Sequence, residues 1–161
     1  MVEERGGWYV VNVKDARWLN RPAFSKLCTF EREGEPYPDF GVNLFVLQPG
    51  KPLCRYHRES RQEGFLVLSG RALLLVNGEE QPLATWDYVH CPAGVSHVLV
   101  GAGDGPCAVL AIGAREADLY YPRNETARKH AAETPEATDE PRVAYRDVPQ
   151  RAPVEPEWPL D

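Results

Sequence analysis

The chain has 161 residues, with 18 Lys plus Arg against 24 Asp plus Glu and a formal charge of -6. That size fits one domain, and the acidic balance with scattered cations excludes the electrostatic footprint of a general nucleic-acid binder. Hydrophobic residues make up 43% and charged residues 26%, the mix of a globular chain rather than a disordered one.

A domain of this length buries roughly two thirds of its unfolded surface, so stability alone requires neither disulfides nor a metal. Apolar runs such as Leu73 to Val76 are strand-sized, and Met1 to Arg5 is neither basic nor followed by a signal-peptide core. No membrane partner and a cytoplasmic location are therefore expected. Cys28, Cys54, Cys91 and Cys107 form no C-x-x-C pair, and are read as reduced, mostly buried thiols.

No period of 20 to 50 residues repeats, which excludes solenoids and propellers. In chain order, the β-rich run Trp8 to Val13 comes first, followed by a mixed stretch punctuated by Pro22, Gly34, Pro36 and Pro38. The first run could pair with a neighbouring copy's sheet edge or cover an edge of its own sheet. From about Phe40 to Gly113, short strands are expected at Val42 to Leu47, Phe65 to Leu68, Ala72 to Val76, Trp86 to Cys91, Ser96 to Val100 and Cys107 to Ile112. Asn77-Gly78 predicts a type I′ hairpin, because both of its central positions need positive φ. Evenly spaced strands with turn punctuation predict an all-β sandwich or barrel. After Pro122, a Pro-rich, charged extension contains one short helix following Asn124, and Pro149 to Pro159 is expected to run extended or to be mobile. Trp158 and Leu160 hint that its end docks.

Chemistry concentrates at two places. In Tyr56-His57-Arg58-Glu59-Ser60-Arg61-Gln62-Glu63, strand parity puts His57 and Glu59 on one face, and Glu63 follows a turn at the start of the next strand. In Pro92-Ala93-Gly94-Val95-Ser96-His97, a tight turn leads into a strand opened by His97. Two His with one or two carboxylates suit Fe, Mn, Zn, Co or Ni as divalent ions. Glu59 could instead face solvent beside Arg55, Arg58 or Arg61. His90 shares parity with Trp86 and Tyr88, so it either lines a cavity as a proton-transfer group or packs as an ordinary histidine. His130 is expected to be solvated.

These residues resemble the two motifs of the cupins, small jelly-roll β-barrels. The first motif, roughly G-x5-H-x-H-x3,4-E-x6-G, is met by Gly50, His57, Glu59, Glu63 and Gly70. The second, roughly G-x5-P-x-G-x2-H-x3-N, is met by Pro92, Gly94 and His97. Glu59 stands in place of a His, Trp86 in place of the opening Gly, and Gly101 in place of the closing Asn. One extra residue separates Gly50 from His57, so a register counted from Gly50 would put Tyr56 and Arg58 at the ligand positions. Counting from Glu63 selects His57 and Glu59.

The chain is similar to a single-domain bacterial cupin subgroup. The resemblance implies a double-stranded β-helix barrel over residues 1–121, with extra N-terminal strands and a motif core of about 40–113, and residues 122–161 as an extension packed on the barrel or partly mobile. It also implies a divalent metal held by His57, Glu59, Glu63 and His97, and a small-molecule ligand or substrate in the cavity. A homodimer is expected, as is common among cupins. The resemblance points either to dioxygenase chemistry on iron held by His57, Glu63 and His97, or to metal-dependent isomerase or lyase chemistry in which Glu59 or His90 moves a proton; the alternative is a non-catalytic binding module.

Overall fold

The computed structural model describes residues 3–5 and 8–156. The middle of the chain supplies its scaffold: Phe40–Leu47 (β5), Glu63–Ser69 (β7), Tyr88–Cys91 (β10) and Cys107–Ala114 (β12). Together with Arg17–Asn20 (β3), Lys26–Thr29 (β4) and Ala152–Pro153 (β14) they form a seven-stranded sheet in the order β10-β7-β12-β5-β4-β3-β14. Arg71–Val76 (β8), Glu79–Ala84 (β9) and His97–Ala102 (β11) form a second sheet in the order β11-β8-β9, and Arg58–Glu59 (β6) pairs with Leu119–Tyr120 (β13). Glu3–Arg5 (β1) pairs with Trp8–Val10 (β2) as a separate ribbon. This is the double-stranded β-helix expected from the sequence.

Period-two alternation sends Phe45, Leu47, Phe65, Val67 and Val109 inward, where they meet Leu74, Leu75, Val98 and Leu99 in one buried cluster. The opposite face of the large sheet carries a second, smaller cluster of Trp18, Cys28, Leu44 and Val46. Burying a Leu or Phe side chain contributes about 1.5–3 kcal/mol, so these two layers supply the main stabilisation. All four cysteines are free and buried. Among the described residues, no helix is long and apolar enough to cross a membrane.

Two strand boundaries differ from expectation for local reasons. Trp86 adopts φ 75 in the turn before β10, so that strand opens at Tyr88. Glu79-Glu80-Gln81-Pro82-Leu83-Ala84 has little β-propensity, yet forms β9. The turn at Asn77 (φ 48) and Gly78 (φ 85) pairs it residue by residue with β8, and Pro82 is tolerated because β9 is an edge strand.

The C-terminal segment is tied to the barrel. Asn124 caps Glu125–Lys129 (α1) by accepting from the Ala127 N–H at 3.0 Å, and a second short helix, α2, spans Pro141–Ala144. Residues between and just after these helices meet Arg55, which is 7% exposed. Its guanidinium donates to Asp147 at 2.6 and 2.8 Å, to Glu133 O at 2.5 Å and to Ala144 O at 3.2 Å. Farther on, β14 adds to the edge of the large sheet beside β3. Trp158 and Leu160 lie outside the described residues.

Candidate metal centre

The backbone brings the two imidazoles together. His57 precedes β6 and His97 opens β11, and the two residues exchange both main-chain hydrogen bonds, N–H to O, at 3.2 and 2.8 Å. Partners in such a closely bonded antiparallel pair project side by side. Their ring centroids are 5.2 Å apart. His57 Nδ1 lies 2.8 Å from Arg55 O and His97 Nδ1 2.9 Å from Val95 O. A proton on each Nδ1 satisfies these carbonyls and turns each Nε2 lone pair toward the barrel interior, the orientation a metal-ligating imidazole takes.

Glu63 opens β7 opposite this pair. Its Oε2 is 2.9 Å from His97 Nε2 and 3.4 Å from His57 Nε2. Despite the closeness, Glu63 Oε2 and His97 Nε2 are buried and make no hydrogen bond of acceptable geometry. Ligating atoms of His57, Glu63 and His97 all lie within 4.8 Å of one another. With both imidazoles neutral and protonated at Nδ1, the Nε2 and carboxylate acceptors face one another, which is costly unless a proton or a cation sits among them, so these residues fit a divalent ion. In the absence of metal, burial opposes charge on His97, but Cys91 and Glu63 outweigh it and raise its pKa to about 10. His57 is likewise desolvated, and Cys54, Glu59 and Glu63 hold its pKa well above the ordinary 6.5. For Glu63, burial is overcome by the two imidazoles, which lower its pKa to about 2.

The register counted from Glu63 is the one that brings His57 to the cluster. Tyr56 is 1% exposed and packs into the core, while Arg58 is exposed and lies over the Tyr120 ring at 4.7 Å. Glu59 approaches from the rim, with Oε1 3.5 Å from His57 Nε2, outside the group of three. Of the three candidate arginines beside it, Arg55 is engaged by Asp147 instead. His90 does not line the barrel interior. Along β10, Val89 and Cys91 are buried while Tyr88 and His90 are exposed, so His90 lies on the outer side of the strand, where it lines a surface cavity of about 250 Å³ together with Glu63, Gly64 and Tyr88. His130 is not simply solvated, since its Nε2 meets Glu80 Oε1 at 2.9 Å.

Sequence reasoning missed the space beside the cluster. Gly41 and Asn43 on β5 pair with Gly113 and Ala111 on β12. With Glu59 and Arg115 they line a cavity of about 170 Å³. A Cβ on Gly113 would stand 3.4 Å from Glu63 Oε1, so the missing side chains are what open this side of the carboxylate. The signal was present as small residues at inward positions of two strands, but it needed the register to be read. Gly101 also finds its reason: a Cβ there would lie 2.3 Å from Gln48 O, which leaves no room for the Asn of the motif.

A double-stranded β-helix with a largely buried His/Glu cluster able to hold a metal defines a class of small metal-binding β-barrels. Residues 43–113 match the family model described as a cupin domain. Over these residues, somewhat less than half of the chain, it carries a cupin domain. Its fold is similar to that of a sugar phosphate isomerase from the cupin superfamily of Silicibacter pomeroyi, at 29% identity over 61% of this chain and 65% of that one, TM-score 0.54. It is also similar to a cupin 2 domain-containing protein from Halorhodospira halophila (21% identity, 66% and 75% of the two chains, TM-score 0.54). A third likeness is to a polyketide cyclase from Streptomyces resistomycificus (16% identity, 67% and 80%, TM-score 0.57); these last two bear on the fold alone. The match to the isomerase spans less than two thirds of that protein's length. None of the curated proteins matches the sequence.

Proposed function

We propose that the protein is a metal-dependent cupin enzyme of the isomerase type, in which His57, Glu63 and His97 hold a divalent ion and a small, oxygen-rich carbonyl compound is the substrate. The observation that carries this reading is the buried pair Glu63 Oε2 and His97 Nε2, 2.9 Å apart and without a hydrogen bond. An ion bound there supplies Lewis-acid polarisation of a substrate oxygen. The likeness to a sugar phosphate isomerase at 29% identity supports the substrate class.

The chain's own residues have distinct parts in this scheme. Glu59, with a side chain 16% exposed at the rim, is the group that takes a proton from the substrate carbon beside the carbonyl and returns it to the neighbouring atom. The adjoining cavity of about 170 Å³ lies below the roughly 300–1,000 Å³ usual for ligand pockets, which restricts the substrate to a few heavy atoms within the barrel. Asn43 offers an amide to its hydroxyl groups. Arg115 lines the same space; one end of its guanidinium pairs with Glu31, and its buried Nε has no partner. Phe65 and Tyr121 pack against His97 and His57, with ring centroids 5.4 and 5.8 Å away, and keep bulk water from the far side of the cluster.

The test is hydrogen exchange from solvent D₂O into a panel of small hydroxy-carbonyl compounds and their phosphates, catalysed by the metal-loaded protein and by Glu59→Gln. Exchange that is lost in Glu59→Gln while the metal is kept supports the reading. Oxygen consumption without exchange would replace it with dioxygenase chemistry, and neither activity across the panel would leave a binding module.

A further inference from the structure

Arg21 sits in the loop between β3 and β4 and is 7% exposed. Among the described residues its side chain makes one hydrogen bond, from Nη1 to Leu53 O at 3.0 Å, and its guanidinium lies 5.6 Å from the Phe24 ring centroid and 5.8 Å from that of Phe45. No carboxylate pairs with it among the described residues. A buried cation without a counter-charge is costly. Its neighbour Arg55 shows the contrast: it lies 5.3 Å from the same Phe24 ring, but it carries Asp147 as an internal anion at 2.6 Å.

Arg21 opens onto a cavity of about 700 Å³ between that loop and the C-terminal segment, also lined by Phe24, Arg142, Tyr145, Val148 and Arg151. Neither Arg142 nor Arg151 forms an ion pair among the described residues. Burial and the charge of Arg21 both lower the Arg151 pKa, as expected for two cations facing one space. Three arginines therefore border one cavity in a chain whose net charge is -6. Apart from Gln150, the remaining wall is mainly apolar, with Phe24 and Tyr145 edge to face at 5.6 Å and Val148 beside them. The volume falls within the usual range for a small-molecule site, roughly 300–1,000 Å³, and none of the lining residues belongs to the metal cluster.

We infer that this cavity is a second ligand site, which takes an amphipathic organic anion: a carboxylate or phosphate facing Arg21, Arg142 and Arg151, on an aromatic or apolar body lying against Phe24, Tyr145 and Val148. Guanidinium forks recognise both anionic groups, and the aromatic wall selects against inorganic anions.

The site is tested on the full-length, metal-free protein by titration with phenyl phosphate, benzoate, inorganic phosphate and uncharged benzyl alcohol, followed through backbone amide resonances. Saturable shifts centred on residues 21–24 and 141–151 are expected for the two aromatic anions. Inorganic phosphate and benzyl alcohol should bind more weakly. The double variant Arg142→Gln/Arg151→Gln should bind the aromatic anions roughly tenfold more weakly. The inference is overturned by the absence of saturation up to about 10 mM, by benzyl alcohol binding as tightly as benzoate, by shifts centred on His57, Glu63 and His97, or by unchanged affinity in the double variant.

Discussion

Loading the metal centre expels protons, and the geometry fixes how steeply affinity depends on pH. In the metal-free protein, burial disfavours charge on His97, yet Cys91 and Glu63 raise its pKa to about 10, and His57 also sits well above 6.5. Glu63, at about 2, is already ionised. At pH 7 His97 therefore carries a second ring proton that an incoming cation must displace, and the raised His57 pKa acts in the same direction. Each displaced proton costs about 1.36 kcal/mol per pH unit, so two of them tighten zinc binding roughly hundredfold from pH 7 to pH 8, and one tightens it roughly tenfold. Isothermal titration with zinc in buffers of different ionisation enthalpy counts the protons directly. Between one and two released per ion is expected; fewer than about half a proton, with affinity flat from pH 6 to 8, would refute the reasoning.

The same shifts set the stability of the metal-free protein. The raised His97 pKa contributes stability that is full below 6.5 and lost as pH rises toward 10, whereas the lowered Glu63 pKa contributes stability that is full above 4.5 and lost toward pH 2. Thermal melts in chelator should therefore peak, for this cluster, between those two ordinary values, and added zinc should move the optimum to higher pH. Arg55→Met leaves Asp147, Glu133 O and Ala144 O without their donor. It should cost about 3 kcal/mol in urea unfolding and expose the C-terminal segment to protease. Gly101→Ala drives a Cβ to 2.3 Å from Gln48 O and should lower stability by about 2–4 kcal/mol in the same assay. Gly113→Val fills the space beside Glu63, and should keep the fold by circular dichroism while abolishing solvent exchange into substrate.

How far the site was legible depended on the range over which each contact is specified. Glu63 and the two histidines could be placed because short turns hold each near a strand start, so spacing along the chain carries over into space. The hairpin at Asn77-Gly78 was legible for the same local reason, and it carried the otherwise unpromising β9 into its sheet. Strand parity narrows a side chain to one of two faces but does not say which face is inside, which is why His90 on β10 was open in the sequence and exposed in the structure. Contacts across long separations left no local trace. The Arg55 guanidinium reaches residues 78 to 92 positions away, and the arginines around the second cavity come from a loop near residue 21 and a segment after residue 140. The cavity beside Glu63 likewise became visible only once Gly41 and Gly113 were known to lie opposite each other.

Elemental analysis of protein purified without added metal, alongside Glu63→Gln, His97→Ala and His90→Ala, addresses the centre itself. One divalent ion per chain is predicted for the unaltered protein and for His90→Ala, with its loss in Glu63→Gln and His97→Ala. A stoichiometric ion kept by both of those variants would place its ligands elsewhere and contradict the account.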